Sequence, residues 1–295
     1  MSQPIKLILT GLGITLAVFL LSMQLPQFSL LVIIIPVIYL WLGFRLKANI
    51  SYIAGSIFFV ITTLLVAHPY GMMVGLFGGL IPTAMTIVAK RDYLEDALVK
   101  TVILCYAALL SSHYFLNEMH QIDLFVSYQA AIRLVIDQMQ ATGSDTSGLF
   151  NTLSESYLSV LFMLATAFAV VLFILAALLR HYKAIEWQVQ PFYTFRFKGM
   201  NFFQFGLVML AIFGLGSLEL PYRLVGQNGW RFMMTLFSIQ GISVAYFYLK
   251  RRKVAPPISW FLLTISLALP LVNSLISLIG FSDSLFDFRK LEALK

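Results

Sequence analysis

The sequence predicts an all-α, polytopic transmembrane helical bundle of about nine spans, or eight if one is only half-inserted, with an amphipathic helix on the outer face. Three observations support this prediction. Hydrophobic residues make up 60% of the 295 positions, only 11% are charged, and long apolar stretches recur along the chain. An α-helix needs about 17–25 apolar residues to cross a bilayer. A soluble domain would need far more polar surface.

Nine apolar stretches are the predicted spans. They cover residues 6–24, 28–44, 50–67, 71–89, 98–116, 157–179, 201–217, 231–249 and 257–280. No small-residue cleavage site follows the first stretch, so we expect it to be retained rather than removed as a signal peptide. The stretches form a single membrane domain over 1–295, with a five-span half at 1–116 and a four-span half at 157–295.

An extracytoplasmic loop at 117–156 separates the two halves. Apolar residues recur in it at helical spacing: Ile122, Phe125, Ile132, Val135, Ile136 and Met139. This period predicts an amphipathic helix. The helix could lie on the bilayer surface, cover an outward-facing cavity as a lid, or dock a partner protein.

Lys and Arg predict a cytoplasmic N-terminus. With this orientation, 14 of the 20 basic residues are cytoplasmic: Lys6, Arg45, Lys47, Lys90, Arg91, Lys100, Arg180, Lys183, Arg196, Lys198, Lys250, Arg251, Arg252 and Lys253. The other six are Arg133, Arg223, Arg231, Arg289, Lys290 and Lys295. Such a bias is typical of a multi-pass protein of the bacterial cytoplasmic (inner) membrane. Nine spans put the C-terminus outside, whereas a half-inserted span puts it inside.

The fourth span is rich in glycine. Gly71, Gly75 and Gly79 repeat every four residues, Gly78 lies between them, and Pro82 follows. The glycines predict a groove that a neighbouring helix can approach closely. Pro82 leaves a carbonyl one turn upstream without its partner. Close helix packing and a substrate cavity at the broken helix are both open interpretations.

Polar side chains in the last two spans are the other binding candidates. Gln240 lies in the middle of the eighth span, and Asn273 and Ser277 lie one turn apart on the ninth. A buried amide needs hydrogen-bond partners, which a second helix or a ligand can supply. The predicted ligand-binding residues are therefore Gly75, Gly78, Gly79, Pro82, Gln240 and Asn273.

Catalytic chemistry is not expected. No Asp, Glu, Lys or Arg lies centrally in a predicted span, which argues against a proton relay or an intramembrane protease. The chain has neither a GxxxxGK[ST] nor an HExxH motif. We therefore predict no enzyme activity, no catalytic residue, no metal and no cofactor. The single Cys105 excludes an intramolecular disulfide.

Two segments near the membrane surface carry charge. The loop 185–198 alternates aromatic and basic residues, which suits headgroup contact or the docking of a partner. The tail holds Asp283 and Asp287 four residues apart, so a helix would set both on one face. Their repulsion predicts that Arg289 or a cation accompanies them.

A set of residues carries a family resemblance: Gln240, Gly241, the basic turn Lys250–Lys253, Gly280, Asp283, Asp287 and Arg289, with Arg196 and Lys198 before the seventh span. On these residues the chain resembles the uncharacterised bacterial DUF2232 family, which includes the YybS-like membrane proteins. The resemblance spans most of the chain and is sharpest over residues 185–291. Members have been compared with the S subunits of energy-coupling-factor transporters and with the MreD-like shape-determining proteins.

The resemblance implies two alternative functions. The first is a transport-related, small-molecule-binding subunit that is S-component-like. The second is a non-transporting membrane scaffold or assembly factor with an MreD-like role. Expected partners are the lipid bilayer and either a small-molecule ligand or a membrane protein. Nucleic acid is not expected, because the basic residues lie at helix ends, where lipid headgroups attract them.

Overall fold

The computed structural model describes residues 3–24, 32–65, 69–141, 146, 148–182, 184–185, 187, 192–197, 211–212, 214–215, 218, 222–268 and 270–289. This part of the chain is built of α-helices joined by turns and short loops. The helices are α1 (Gln3–Gln24), α2 (Ile34–Arg45), α3 (Ala48–Leu65), α4 (Pro69–Arg91), α5 (Leu94–His120), α6 (Leu124–Ala141), α7 (Leu149–Ser154), α8 (Tyr157–His181), α9 (Tyr222–Arg251), α10 (Pro256–Ala268) and α11 (Pro270–Phe286).

Five of the described helices are long and apolar enough to cross a membrane: α1, α3, α4, α8 and α9. Helix α2 and most of α11 are shorter apolar helices. The protein is thus a polytopic helical membrane protein, as the sequence predicts. The predicted span 98–116 falls within α5, which is not among the five. Most of the predicted span 201–217 lies outside the described residues.

The chain divides into two compact units. Unit 1 comprises Met1–Ser127 and Leu164–Val189, and unit 2 comprises Tyr128–Met163 and Gln190–Lys295. Their boundaries differ from those of the predicted halves, because most of α8 belongs to unit 1. The Phe77 ring on α4, for example, packs edge-on against the Phe168 ring on α8 with 5.2 Å between centroids.

In unit 1 the basic end of α4 lies beside the end of α2. The Lys90 ammonium donates hydrogen bonds to the carbonyls of Gly43 and Leu46 at 2.7 and 2.9 Å. These carbonyls lie at the C-terminal end of α2, where helical partners run out. The Trp187 indole donates to the Ala89 carbonyl at 3.1 Å. The predicted topology orients α2 and α4 in the same direction, and their C-terminal ends lie side by side.

In unit 2 the predicted amphipathic helix is present as α6. Its Ile132 and Ile136 are buried, and the Tyr128 hydroxyl donates to the Leu153 carbonyl at 2.9 Å. Val135 and Met139, which the pattern assigns to the same face, are exposed. The apolar face of α6 is therefore buried only in part.

The predicted single span at 257–280 is wrong, because two helices, α10 and α11, occupy this region. Pro270 has no amide hydrogen to bond to the preceding turn, and proline fits the first position of a new helix. Helix α10 has 13 residues, which is about 20 Å at 1.5 Å per residue. That is shorter than the roughly 30 Å hydrocarbon layer.

Helix α11 runs parallel to α9. Along α9, Ser238 bonds to Ser277, Gln240 to Asp283 and, nearer the end, Tyr248 to the Phe288 carbonyl. The residue numbers of the bonded partners increase together along both helices, as they do in a parallel pair. Helix α10 must therefore run back along α9. The end of α11 then lies at the same end of unit 2 as Arg251, whereas one unbroken span would have placed it at the opposite end.

The parallel pair predicts that the tail and the turn after α9 lie on one side of the membrane. A reporter fused after the C-terminus and the same reporter inserted after Lys253 should therefore give matching signals, with either a fluorescent or a periplasm-active reporter. Opposite signals would contradict the parallel arrangement and restore the single span. An insertion in the polar linker near Gly148 provides the comparison from the other predicted side.

Candidate functional site

Helices α9 and α11 touch through two glycines. A Cβ atom on Gly241 would overlap the Ile276 carbonyl, and one on Gly280 would overlap the Phe237 carbonyl. The two backbones thus approach more closely than any side chain would allow. Such contacts replace the hydrophobic driving force that is missing between helices in lipid.

Polar side chains follow the same interface. The hydroxyls of Ser238 and Ser277 are hydrogen-bonded at 2.6 Å, and Ser238 also lies 3.1 Å from the Asn273 amide oxygen. Asn273, a predicted ligand-binding residue, therefore contacts the neighbouring helix. Its amide joins α11 to α9, as helix–helix hydrogen bonds in membranes do.

Nearer the end of the pair, Asp283 and Arg289 form an ion pair whose side chains are both 0% exposed. The guanidinium donates to both Asp283 oxygens, at 2.7 and 3.3 Å. Its remaining hydrogens go to the carbonyls of Tyr193 and Phe195 and to the Ser243 hydroxyl, each at 2.8 Å. All five guanidinium hydrogens are thus used, which a buried arginine requires.

Gln240 completes this network and is fully buried. Its amide nitrogen donates to Asp283 at 3.0 Å, and its amide oxygen accepts from the backbone nitrogen of Phe197 at 3.1 Å. The expectation that Gln240 bonds to another helix is therefore confirmed. The network also reaches a segment outside the helices.

That segment, residues 192–197, is called here the clamped segment. Arg289 holds its carbonyls at Tyr193 and Phe195, and the Ser243 hydroxyl donates to Phe192 at 2.7 Å and to Phe195 at 3.1 Å. Phe192–Thr194 form a single 3-10 turn, in which the Phe195 amide donates to the Phe192 carbonyl at 3.0 Å. The carbonyls that this turn does not use need partners from elsewhere, and Arg289 and Ser243 supply them. Side chains of α9 and of the tail thus hold this short segment, which lies outside the α-helices.

The two aspartates of the tail have different partners. Helix α11 ends at Phe286, and Asp287 adopts a left-handed conformation with φ of 44°. Its carboxylate therefore leaves the α11 face and pairs with Arg196 at 3.0 Å, while Arg289 pairs with Asp283. The prediction that Arg289 accompanies the aspartates holds for Asp283. The prediction that both aspartates share a helical face is wrong, because the helix ends between them.

The glycine-rich span is α4 of unit 1, and its glycines face neighbouring helices. A Cβ on Gly78 would come within 2.9 Å of Ile35, and one on Gly79 within 2.7 Å of Phe58. One on Gly75 would overlap the Thr62 hydroxyl. These contacts are the close packing that the sequence predicts. Ligand binding at these glycines stays a prediction.

Around Pro82 the helix changes its winding. Residues Val74–Leu80 form a π-helical turn, which ends with the amide of Ile81 donating to the Leu76 carbonyl. Pro82 cannot donate, and the Thr83 hydroxyl bonds to the carbonyls of Gly79 and Leu80 at 3.1 and 2.8 Å. Protein groups therefore supply hydrogen bonds to the backbone around Pro82, as an apolar environment requires.

The buried charge is not apparent from the sequence. A predicted span that ends at 280 leaves Asp283 and Arg289 beyond it, as groups near the membrane surface. Pro270 is the signal that could have found them. A helix restarted there carries Asp283 in its last turns.

A model of the family described as "Predicted membrane protein (DUF2232)" matches residues 13–284. The chain belongs to the DUF2232 family. The matched region includes Gln240, Gly241, Gly280 and Asp283, and it ends before Asp287 and Arg289. No curated protein and no solved structure matches the chain. That description calls the family a predicted membrane protein and names no activity.

Replacing Gly280 by alanine should destabilise the protein strongly, because the new methyl group would meet the Phe237 carbonyl. Overpacking costs about 3 kcal/mol when the neighbour is backbone, which lowers the melting temperature by roughly 6–12 °C. Thermal unfolding in detergent measures this. Gly13→Ala is the matched control, since nothing lies within 4 Å of the place its new methyl group would take. Equal melting temperatures for the two variants would contradict the contact.

Removing one member of the buried ion pair should cost about 3–5 kcal/mol, because the other charge is left without a partner. Arg289→Gln, Asp283→Asn and the double variant form a thermodynamic cycle, measured by thermal unfolding. We expect the double variant to lose less than the sum of the single losses. Arg196→Gln should cost only about 1 kcal/mol, since its pair with Asp287 is part-exposed. Additive single effects would show that the buried pair is not coupled.

Proposed function

We propose that this DUF2232 protein is a non-transporting membrane scaffold or assembly factor, the MreD-like role, which presents the clamped segment to a membrane-protein partner. The observation that supports it most is the number of buried groups that hold this short segment in one conformation. A segment that is already ordered loses little entropy on binding. The predicted ligand-binding residues of unit 2, Gln240 and Asn273, are meanwhile engaged within the protein.

The composition of the clamped segment suits a protein interface. Phe192, Tyr193 and Thr194 are part-exposed, and Arg196 lies beside them. Aromatic residues and arginine are enriched where proteins bind each other. The Lys250 ammonium lies 3.7 Å from the centre of the Tyr193 ring, so the segment lies at the basic end of α9. Trp187, from the same predicted loop, is buried in unit 1 and is not proposed to dock a partner.

We place this end of α9 in the bacterial cytoplasm, with the N-terminus on the same side. The parallel α9–α11 pair returns the tail to the basic side, so that Arg289, Lys290 and Lys295 join the 14 cytoplasmic basic residues. That makes 17 of the 20, a stronger bias than the nine-span count gave. In this proposal the α10–α11 hairpin replaces the ninth span.

A photo-reactive amino acid in place of Tyr193 should form a discrete adduct with a membrane protein when intact cells are irradiated. The same substitution at Tyr182, an exposed aromatic residue after α8, is the matched control and should not form it. The Arg289→Gln variant should weaken the Tyr193 adduct, because the segment loses its clamp. An identical adduct pattern at both positions, or an unchanged adduct in Arg289→Gln, would refute the proposal.

A second candidate, the transport-related and S-component-like binding subunit, is favoured by the π-helical turn Val74–Leu80. Such turns often occur at functional sites, and this one contains Gly75, Gly78 and Gly79. If the candidate is correct, a vitamin or nucleoside should raise the melting temperature of the purified protein. Gly78→Ala should abolish the shift, and Gly13→Ala should leave it intact. A broad screen without any shift would count against this function.

A further inference from the structure

The turn that ends α9 carries three cations without a described partner. Arg251, Arg252 and Lys253 are exposed, and no ion pair or hydrogen bond involves their side chains within the part of the chain that the structure describes. The other basic residues near this end differ, since Lys250 covers the Tyr193 ring, and Arg196 and Arg289 pair with carboxylates.

The backbone fixes the place of these cations. Lys253 adopts a left-handed conformation with φ of 60°, and its amide donates to the Lys250 carbonyl at 2.9 Å. The next amide, of Val254, donates to the Leu249 carbonyl at 3.1 Å. Such bonds close the end of a helix and use its last carbonyls. The three cations are thus held at the end of a spanning helix rather than on a long loop.

An exposed aromatic pair lies next to this turn. Phe286 and Phe288 are 65% and 49% exposed, and their rings stack with centroids 5.9 Å apart. The Tyr248 hydroxyl, in the last turn of α9, donates to the Phe288 carbonyl at 3.3 Å. Apolar rings beside exposed cations are the combination found where a protein meets lipid headgroups.

We infer that Tyr248, Arg251, Arg252, Lys253, Phe286 and Phe288 form a docking surface for the phosphate headgroups of anionic phospholipids. We call it the tail surface. A helix long enough to span the bilayer ends at Arg251, which sets the cations at headgroup depth. Anionic lipid attracts such basic clusters at the membrane surface. This inference involves residues and a partner that differ from those of the proposed scaffold function.

The test is a titration of the purified full chain in neutral detergent with phosphatidylglycerol or phosphatidylcholine, with bound lipid counted by native mass spectrometry. Wild-type protein should bind phosphatidylglycerol more tightly. The triple variant Arg251→Gln, Arg252→Gln, Lys253→Gln should bind it roughly tenfold or more weakly, which corresponds to the loss of at least 1.4 kcal/mol of attraction. Phosphatidylcholine binding should not change.

The matched control removes the same charge elsewhere, with Lys6→Gln, Arg91→Gln and Arg133→Gln, all at exposed positions. It should keep the phosphatidylglycerol preference. Equal losses in both triple variants would show a general effect of net charge and would overturn the site. A wild-type protein without preference for phosphatidylglycerol would also overturn the site. An acidic protein would then be the expected partner of the basic turn. Both variants should keep the melting temperature of the wild-type protein in neutral detergent, which checks that they fold.

Discussion

Backbone carbonyls outside the α-helices need hydrogen-bond partners, and one guanidinium group supplies them for Tyr193 and Phe195 of unit 2. Arg289 binds carbonyls of the clamped segment, a serine hydroxyl and a buried carboxylate at once. Without Asp283 the guanidinium charge would be buried alone, and without Gln240 one oxygen of Asp283 would lose its second donor. The conformation of the segment, the end of α11 and the tail therefore depend on one charge-balanced cluster.

Small residues allow the helices to pack closely. Such packing is needed because the hydrophobic effect does not drive helices together in lipid. At Gly241 and Gly280 the parallel helices meet backbone to backbone, which brings Gln240 and Asp283 into bonding range. In unit 1, Gly43 and Gly55 instead leave room for the side chains of Thr86 and Thr83 on a neighbouring helix. Close approach and polar contacts thus support each other. A larger residue at Gly241 would separate the helices and also the partners of the ion pair.

The sequence predicted the elements that depend on composition and period. Apolar length located α1, α3, α4, α8 and α9, and helical spacing located α6. It mispredicted 257–280 because apolar length does not distinguish one long span from two short helices joined at Pro270. The role of Arg289 could not be predicted either. Its partners Tyr193 and Phe195 lie almost a hundred positions earlier, and backbone carbonyls carry no signal in the sequence.

This separation also has a consequence in time. Arg289 is synthesised 94 residues after Phe195, which takes roughly 5–20 s at ordinary translation rates. During this interval the segment after α8 is already at the membrane, while its carbonyls and the Ser243 hydroxyl still lack the guanidinium. Unit 2 can acquire its native core only after Arg289 has been synthesised. Water, lipid headgroups or the insertion machinery must therefore supply hydrogen bonds to these carbonyls until Arg289 has been synthesised.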